Sequence, residues 1–187
     1  MALEESSFCM RLCCGPIRSW TINVTKDGNP FSEHIRPIRC MPAGLKCCCY
    51  QEMTTTAGGE VIGSFKEKFF CFVPSYAIKG PTGEDEFNIH MPTCCGGVCV
   101  DPCAEGCCNC KIPFYLYKPD KDEPGQHVGK IIKVWGGLAK ELFADADTFM
   151  VEYPEGITNE AKANLLGATF MINQLYFESQ KQGAEVG

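Results

Sequence analysis

The stretch that decides the fold lies near the C-terminus, from Thr158 to Glu178, and has the sequence TNEAKANLLGATFMINQLYFE. Thr158 or Asn159 can cap the N-terminus of a helix, and Glu160 falls in the first turn, where the helix dipole favours a negative charge. At about 100° per residue, apolar side chains surround almost the whole helix and leave only a thin polar seam. Such a helix is either buried in a core or spans a membrane.

The length of the apolar run favours the buried alternative. No charge interrupts Ala163 to Phe177, but this run has only 15 residues, whereas a membrane span needs about 20. The run also contains amides that are costly in hydrocarbon unless they are paired, namely Asn164, Asn173 and Gln174. We therefore expect a helix enclosed by the rest of the chain. The side chains that we expect in its buried core include Leu166, Phe170 and Tyr176.

Length and charge limit the class of protein. A chain of 187 residues is long enough for one domain with a real core, so we expect a single domain over 1–187, with an irregular N-terminus at 1–10 and a disordered tail at 180–187. The net charge of −6 gives no indication of nucleic-acid binding. The first 30 residues contain no signal-peptide pattern, which favours a reducing, cytosolic setting.

Alternating side chains predict a mainly β fold around the helix. Trp20, Ile22 and Val24 alternate with polar residues, which is typical of a half-buried strand. Asp27-Gly28 then gives a strong hairpin signal. Comparable runs, joined by turns rich in glycine and proline, continue to Tyr153 and predict about nine short strands. Antiparallel strands connected in this way form barrels or sandwiches, and a helix without a polar face fits best inside a barrel.

Fifteen cysteines, many of them adjacent, are the anomaly of the composition. Three uses remain open for them: lipid acylation, metal binding, or burial as small hydrophobic side chains. Cys47, Cys48 and Cys49 are contiguous and follow Lys46, a pattern that suits S-acylation, since several acyl chains anchor a protein stably. A second cluster at 94–110 is dense enough to hold Zn²⁺, although its spacing differs from paired C-x-x-C motifs and free thiols are the alternative.

An acidic loop precedes the last predicted strand. Asp145 and Asp147 are one residue apart and supply the oxygen ligands that a hard cation prefers, with Glu152 nearby. In a twelve-residue calcium loop that starts at Asp145, the fifth position would be Phe149 and the twelfth Gly156, so two usual oxygen ligands are missing. Weak Ca²⁺ binding and a purely structural turn both remain possible for this loop.

Catalytic motifs are missing from the sequence. Its three histidines are scattered, and neither a nucleophile elbow, a phosphate-binding loop nor a paired-carboxylate signature occurs. We therefore expect a protein that performs no bond chemistry.

Several short motifs, in the same order and with similar spacing, resemble those of phospholipid scramblases. They are Cys13-Cys14-Gly15-Pro16, Arg36-Pro37-Ile38-Arg39-Cys40, Cys47 to Glu52, Gly129-Lys130-Ile131, Trp135, Glu141-Leu142-Phe143, Asp145 to Phe149 and Phe177-Glu178-Ser179. The resemblance implies a tubby-like antiparallel β-barrel around the hydrophobic C-terminal helix. Family members have further strands before the point that corresponds to Met1, so we expect this barrel to be incomplete.

The resemblance also implies a function at membranes. Scramblases move phospholipids in both directions between membrane leaflets in a calcium-dependent way, and the family's calcium segment corresponds to the acidic loop. S-palmitoyl groups on Cys47, Cys48 and Cys49 would hold the protein at the cytoplasmic face of the plasma membrane, and the unacylated protein could enter the nucleus. The alternative is an acyl-anchored module that binds lipids or signalling proteins without transport. The expected partners are a phospholipid membrane, anionic lipids and signalling proteins.

Overall fold

Ten antiparallel strands and one helix make up the part of the chain that the computed structural model describes. The described residues are 1–6, 14, 17–40, 48–71, 73–91, 113–121, 123, 125–134 and 148–177. The elements are β1 (Ala2–Glu5), β2 (Trp20–Lys26), β3 (Asn29–Arg36), β4 (Glu52–Ala57), β5 (Glu60–Glu67), β6 (Ser75–Lys79), β7 (Asp85–His90), β8 (Pro113–Tyr117), β9 (Gly129–Val134), β10 (Thr148–Glu152) and α1 (Asn159–Tyr176).

The strands form one sheet in which each strand pairs with the next along the chain. Within the described residues β1 and β10 do not pair, so the sheet is not closed. It curves around α1, because side chains from both halves of the sheet contact the helix or its C-cap residue. Trp20 of β2 contacts it from one half, and Tyr76 of β6 and Phe149 of β10 contact it from the other, with Phe149 packed against the C-cap Phe177. The prediction of a mainly β fold with one C-terminal helix is confirmed, and the sheet is open, as expected for an incomplete barrel.

Tight turns join the strands at the points that the sequence predicted. Asp27 and Gly28 both have positive φ, 53° and 82°, and connect β2 to β3. Gly58 and Gly59, with φ of 61° and 87°, connect β4 to β5 in the same way. This pair of left-handed residues matches the twist of the flanking strands, which is why Asp-Gly and Gly-Gly favour two-residue hairpins.

The irregular N-terminus expected at 1–10 is wrong for its first part. Residues Ala2–Glu5 form β1 and pair with β2. The Met1 amino group donates to the Thr25 carbonyl oxygen at 2.7 Å, and the Thr25 N–H donates back to Met1 at 2.8 Å. Backbone bonds of this kind hold an edge strand without an alternating side-chain pattern. Residues 7–10 and the tail at 180–187 lie outside the described residues.

The predicted helix is confirmed and begins after Thr158, whose side-chain oxygen accepts a bond from the Ala161 N–H at 3.2 Å. Tyr176 is buried, as predicted, but Leu166 and Phe170 are only half-buried and correct the expectation of full enclosure. These two residues lie four positions apart on one side of α1, and that side is the one the open sheet covers least. No helix of the described residues is long and apolar enough to cross a bilayer.

Buried polar side chains attach α1 to the sheet. Thr55 donates its hydroxyl to the Asn164 side-chain oxygen at 3.0 Å, and the Asn164 amide donates to the Lys79 carbonyl oxygen at 3.0 Å. The approach is close enough that a Cβ atom on Gly63 would lie 2.7 Å from the same Lys79 oxygen. A ring nitrogen of His34 lies 3.1 Å from the Thr55 hydroxyl and extends the network to β3.

We predict that His34 makes the fold sensitive to acid. Burial lowers its pKa from the ordinary value of 6.5 to about 4. Between these values the unfolded chain binds a proton that the folded chain excludes, so stability falls as the pH decreases through this window, by up to about 3 kcal/mol. Urea unfolding of wild type and His34→Gln at several pH values measures the effect. The loss of stability that wild type shows in this window should be markedly smaller in the variant; equal losses would contradict the prediction.

Candidate functional site

The up-and-down order of the strands sorts the connections into two groups at opposite ends of the sheet. One end, here called the thiol end, is marked by the strand termini Glu5, Trp20, Arg36, Glu52, Glu67, Ser75, His90, Pro113, Val134 and Thr148. All 15 cysteines of the sequence lie between strands that are joined at this end. The turns at the opposite end contain none. Folding therefore brings to one edge of the sheet the entry and exit points of every cysteine-bearing segment.

Four of the described cysteines at the thiol end are exposed: Cys40, Cys48, Cys49 and Cys71. Cys49 also has a φ of 56°, in the left-handed region that residues with a Cβ atom rarely adopt. Cys48 and Cys49 belong to the predicted acylation triple, and their exposure makes both thiols accessible. Cys47, the first of the triple, and the cluster at 94–110 with its possible Zn²⁺ site lie outside the described residues.

Gln51 fixes the chain directly after the cysteine triple. It is fully buried, and its side-chain oxygen accepts a bond from the Arg36 guanidinium at 2.7 Å. Its side-chain amide donates to the Cys40 carbonyl oxygen. Its backbone N–H donates to the Glu67 carboxylate at 2.7 Å, and its carbonyl oxygen accepts from the Glu67 N–H at 2.8 Å. One buried residue therefore connects the ends of β3, β4 and β5.

Buried arginines continue this network toward the N-terminal edge of the sheet. Arg36 donates to the Arg18 carbonyl oxygen at 2.6 Å, and the Arg18 guanidinium lies 3.0 Å from the Glu4 carboxylate. Arg18 and Arg36 are each only 1% exposed. Buried charges require partners of this kind, since an unpaired one is strongly destabilising. Buried polar bonds therefore connect the ends of β1, β3 and β5 with the residue that precedes β4.

The predicted calcium ligands do not all lie in one described place. Asp145 and Asp147 are outside the described residues. Glu152 lies at the last position of β10, four residues beyond Thr148, which is about 13 Å along an extended strand. Its carboxylate is 2.9 Å from the Lys130 ammonium, and this hydrogen bond and charge raise the pKa of Lys130. The segment with the two aspartates enters β10 at the thiol end, and Glu152 lies at the opposite end of the sheet.

Comparison with known proteins identifies the family. The model of the Scramblase family matches residues 1–179. The chain belongs to the scramblase family. It is 31% identical over 178 residues to phospholipid scramblase 2 of Bos taurus, covering 95% of this chain and 56% of the relative. It is 29% identical over 189 residues to phospholipid scramblase 1 of Mus musculus, covering 98% of this chain and 54% of the relative.

This scramblase-family chain thus spans about half the length of the curated relatives that it matches. No solved structure matches it. Two of the motifs quoted above for their resemblance to scramblases contain Arg36 and Gln51, but the sequence alone assigned neither residue a role. The sequence shows only that both residues are polar and lie at the edges of the cysteine segment. The fold shows that both are buried.

We predict that the buried bonds of Gln51 stabilise the fold far more than the neighbouring exposed ion pair. Gln51→Leu removes one hydrogen-bond partner of the Arg36 guanidinium and should lower the free energy of unfolding by about 3 kcal/mol. Glu52→Gln, the adjacent control, loses a half-exposed pair with Arg39 and should cost less than about 1 kcal/mol. Urea unfolding monitored by circular dichroism compares the two variants. Equal costs would contradict the assigned role of Gln51.

Proposed function

We propose that the protein acts at phospholipid membranes as a scramblase, moving phospholipids in both directions between the leaflets in response to Ca²⁺ and without bond chemistry. Membership of the scramblase family supports this proposal, as do the relatives that carry the name phospholipid scramblase. The structural observation that supports it is the display of exposed cysteines at one end of the sheet. Because the relatives are about twice as long, the activity of those whole proteins is a proposal for this chain.

Attachment to the membrane is proposed to occur through the cysteine triple. The exposed thiols of Cys48 and Cys49, with Cys47 before them, can attack the carbonyl carbon of a long-chain acyl thioester. The attack forms a new thioester on the protein and releases the donor's thiol. One acyl chain gives only marginal binding, whereas two or more hold a protein at a membrane stably. In this proposal, the acylated protein resides at the cytoplasmic face of the plasma membrane, and the unacylated protein can reach the nucleus.

We expect the triple to carry the thioesters. Replacing Cys47, Cys48 and Cys49 by serine should abolish most hydroxylamine-sensitive acylation and move most of the protein from the membrane to the soluble fraction of cells. Cys14→Ser is the control, because Cys14 is only half-exposed and should leave both readouts unchanged. If the triple variant remains on membranes after a carbonate wash, another part of the chain is the anchor.

Calcium is proposed to act through Asp145 and Asp147, whose oxygen ligands suit the ion. Because these ligands are few, binding should fall at roughly the millimolar end of the protein range. We predict that purified, acylated protein in vesicles accelerates the exposure of fluorescent phospholipid to a membrane-impermeant reductant when Ca²⁺ is added. Asp145→Ala and Asp147→Ala should each lose this response. Glu152→Gln, whose carboxylate pairs with Lys130, should retain it.

A second candidate function is a membrane-bound module that binds lipids or signalling proteins without transport. The bonding of α1 to the sheet favours it, because the Asn164 amide, the Gln174 side-chain oxygen and the Tyr176 hydroxyl form their bonds within the fold. Exposing these groups to hydrocarbon would leave them unpaired and is costly. The vesicle assay separates the two functions: vesicle-bound protein that moves no lipid with or without Ca²⁺ would reject the scramblase proposal in favour of the module.

A further inference from the structure

Two large, exposed apolar side chains lie at the thiol end, in connections that also contain exposed cysteines. Ile38 is 53% exposed and follows the end of β3, and Phe69 is 62% exposed and follows the end of β5. Single exposed apolar residues need no explanation, but a group of them at one place marks an interaction site. Here both residues occur at the same sheet end as the exposed thiols of Cys48 and Cys49.

The bonds of Gln51 define how these residues are arranged. Gln51 is bonded to Cys40 on one side and to Glu67 on the other. Ile38 and Phe69, each two residues from one of these partners, therefore lie on either side of Gln51, which follows Cys49 by two residues. The ends of β3 and β5 are separated by β4, which places them about 10 Å apart across two strand spacings. Such a spacing allows both side chains to enter one flat surface together.

Basic side chains surround the same place although the whole chain carries a net charge of −6. Arg39 follows Ile38, and Lys66 and Lys68 precede Phe69. Arg39 pairs with the half-exposed Glu52, and Glu67 at the end of β5 is buried. Lys66 is exposed, and the Lys68 ammonium donates to the Asn88 side chain at 3.1 Å. Cations around exposed apolar side chains are the combination that a membrane surface with anionic lipids attracts.

We propose that Ile38 and Phe69 insert into the phospholipid bilayer while Arg39, Lys66 and Lys68 contact anionic headgroups. The thiol end of the sheet then faces the membrane before any acyl chain is attached. This orientation holds the thiols of Cys48 and Cys49 at the interface, where a newly attached acyl chain enters the hydrocarbon directly. The inference rests on the proposed function in taking a membrane as the partner, but it requires neither acylation nor lipid movement.

Sedimentation of the full-length, hydroxylamine-treated protein with vesicles tests the proposal. Wild type should bind vesicles of phosphatidylcholine with phosphatidylserine more tightly than vesicles of phosphatidylcholine alone, and added salt should reduce the difference. Phe69→Asp and Ile38→Asp should each weaken vesicle binding about tenfold or more, since each variant loses an apolar side chain that the bilayer would bury. Val61→Asp is the matched control: Val61 is 52% exposed on β5 near the opposite end, and its substitution should change binding less than about twofold.

A second measurement tests insertion without introducing a charge, so it does not depend on whether the aspartate variants fold. Phe69→Trp should show a blue-shifted emission on binding and be quenched by brominated phosphatidylcholine, whereas Val61→Trp should show neither change beyond the background of the two native tryptophans. Wild type that fails to bind, equal loss in Val61→Asp, or equal quenching at both positions would overturn the proposal. Failure here is distinguishable from failure of the acylation proposal, because the cysteine variants should bind these vesicles as wild type does.

Discussion

The bond between the Asn164 amide and the Lys79 carbonyl oxygen is the contact on which the arrangement of the fold depends. A helix that is apolar on nearly every side has no intrinsic preference for one rotation in a hydrophobic core. An amide buried in that core must find a donor or an acceptor, and the loss of such a partner costs more than any single apolar contact gains. In the observed rotation Asn164 meets this requirement, with Thr55 and a strand carbonyl as partners. Asn164 therefore sets the orientation of α1, while the apolar residues supply the driving force.

The same rotation explains why one side of the helix remains half-covered. With Asn164 directed to β4 and β6, Leu166 and Phe170 turn toward the region that the open sheet leaves partly uncovered. Phe170 still has its ring 5.7 Å from the His34 ring in an edge arrangement. Full enclosure of α1 would need further strands beyond the edges that β1 and β10 present in the described residues.

Much of this architecture could be predicted from the sequence because it rests on local signals. The cap at Thr158, the paired positive-φ turns and the alternation of Trp20 and Ile22 each depend on neighbouring residues only. The β1 strand could not be predicted, since its backbone bonds to Thr25 and the rest of β2 leave no side-chain pattern. The burial of Gln51 depends on three segments that are distant in sequence. The common location of the cysteines follows from counting antiparallel strands, because their connections alternate between two ends of the sheet, although no single cysteine cluster indicates it.

The sorting of cysteines to one end has an energetic consequence for membrane attachment. A single acyl chain binds membranes with an equilibrium constant of only about 10⁴ M⁻¹, so a protein with one such chain dissociates readily. In the proposed orientation, weak apolar and electrostatic contacts on the same face raise the effective concentration of each thiol at the interface, and each added acyl chain then binds as an intramolecular event. This gain in membrane affinity requires that the acyl chains, the apolar side chains and the cations reach the membrane surface at the same time. The buried network from Glu4 through Arg36 to Glu67 favours such an arrangement, because it connects the strand ends next to the exposed thiols and apolar side chains.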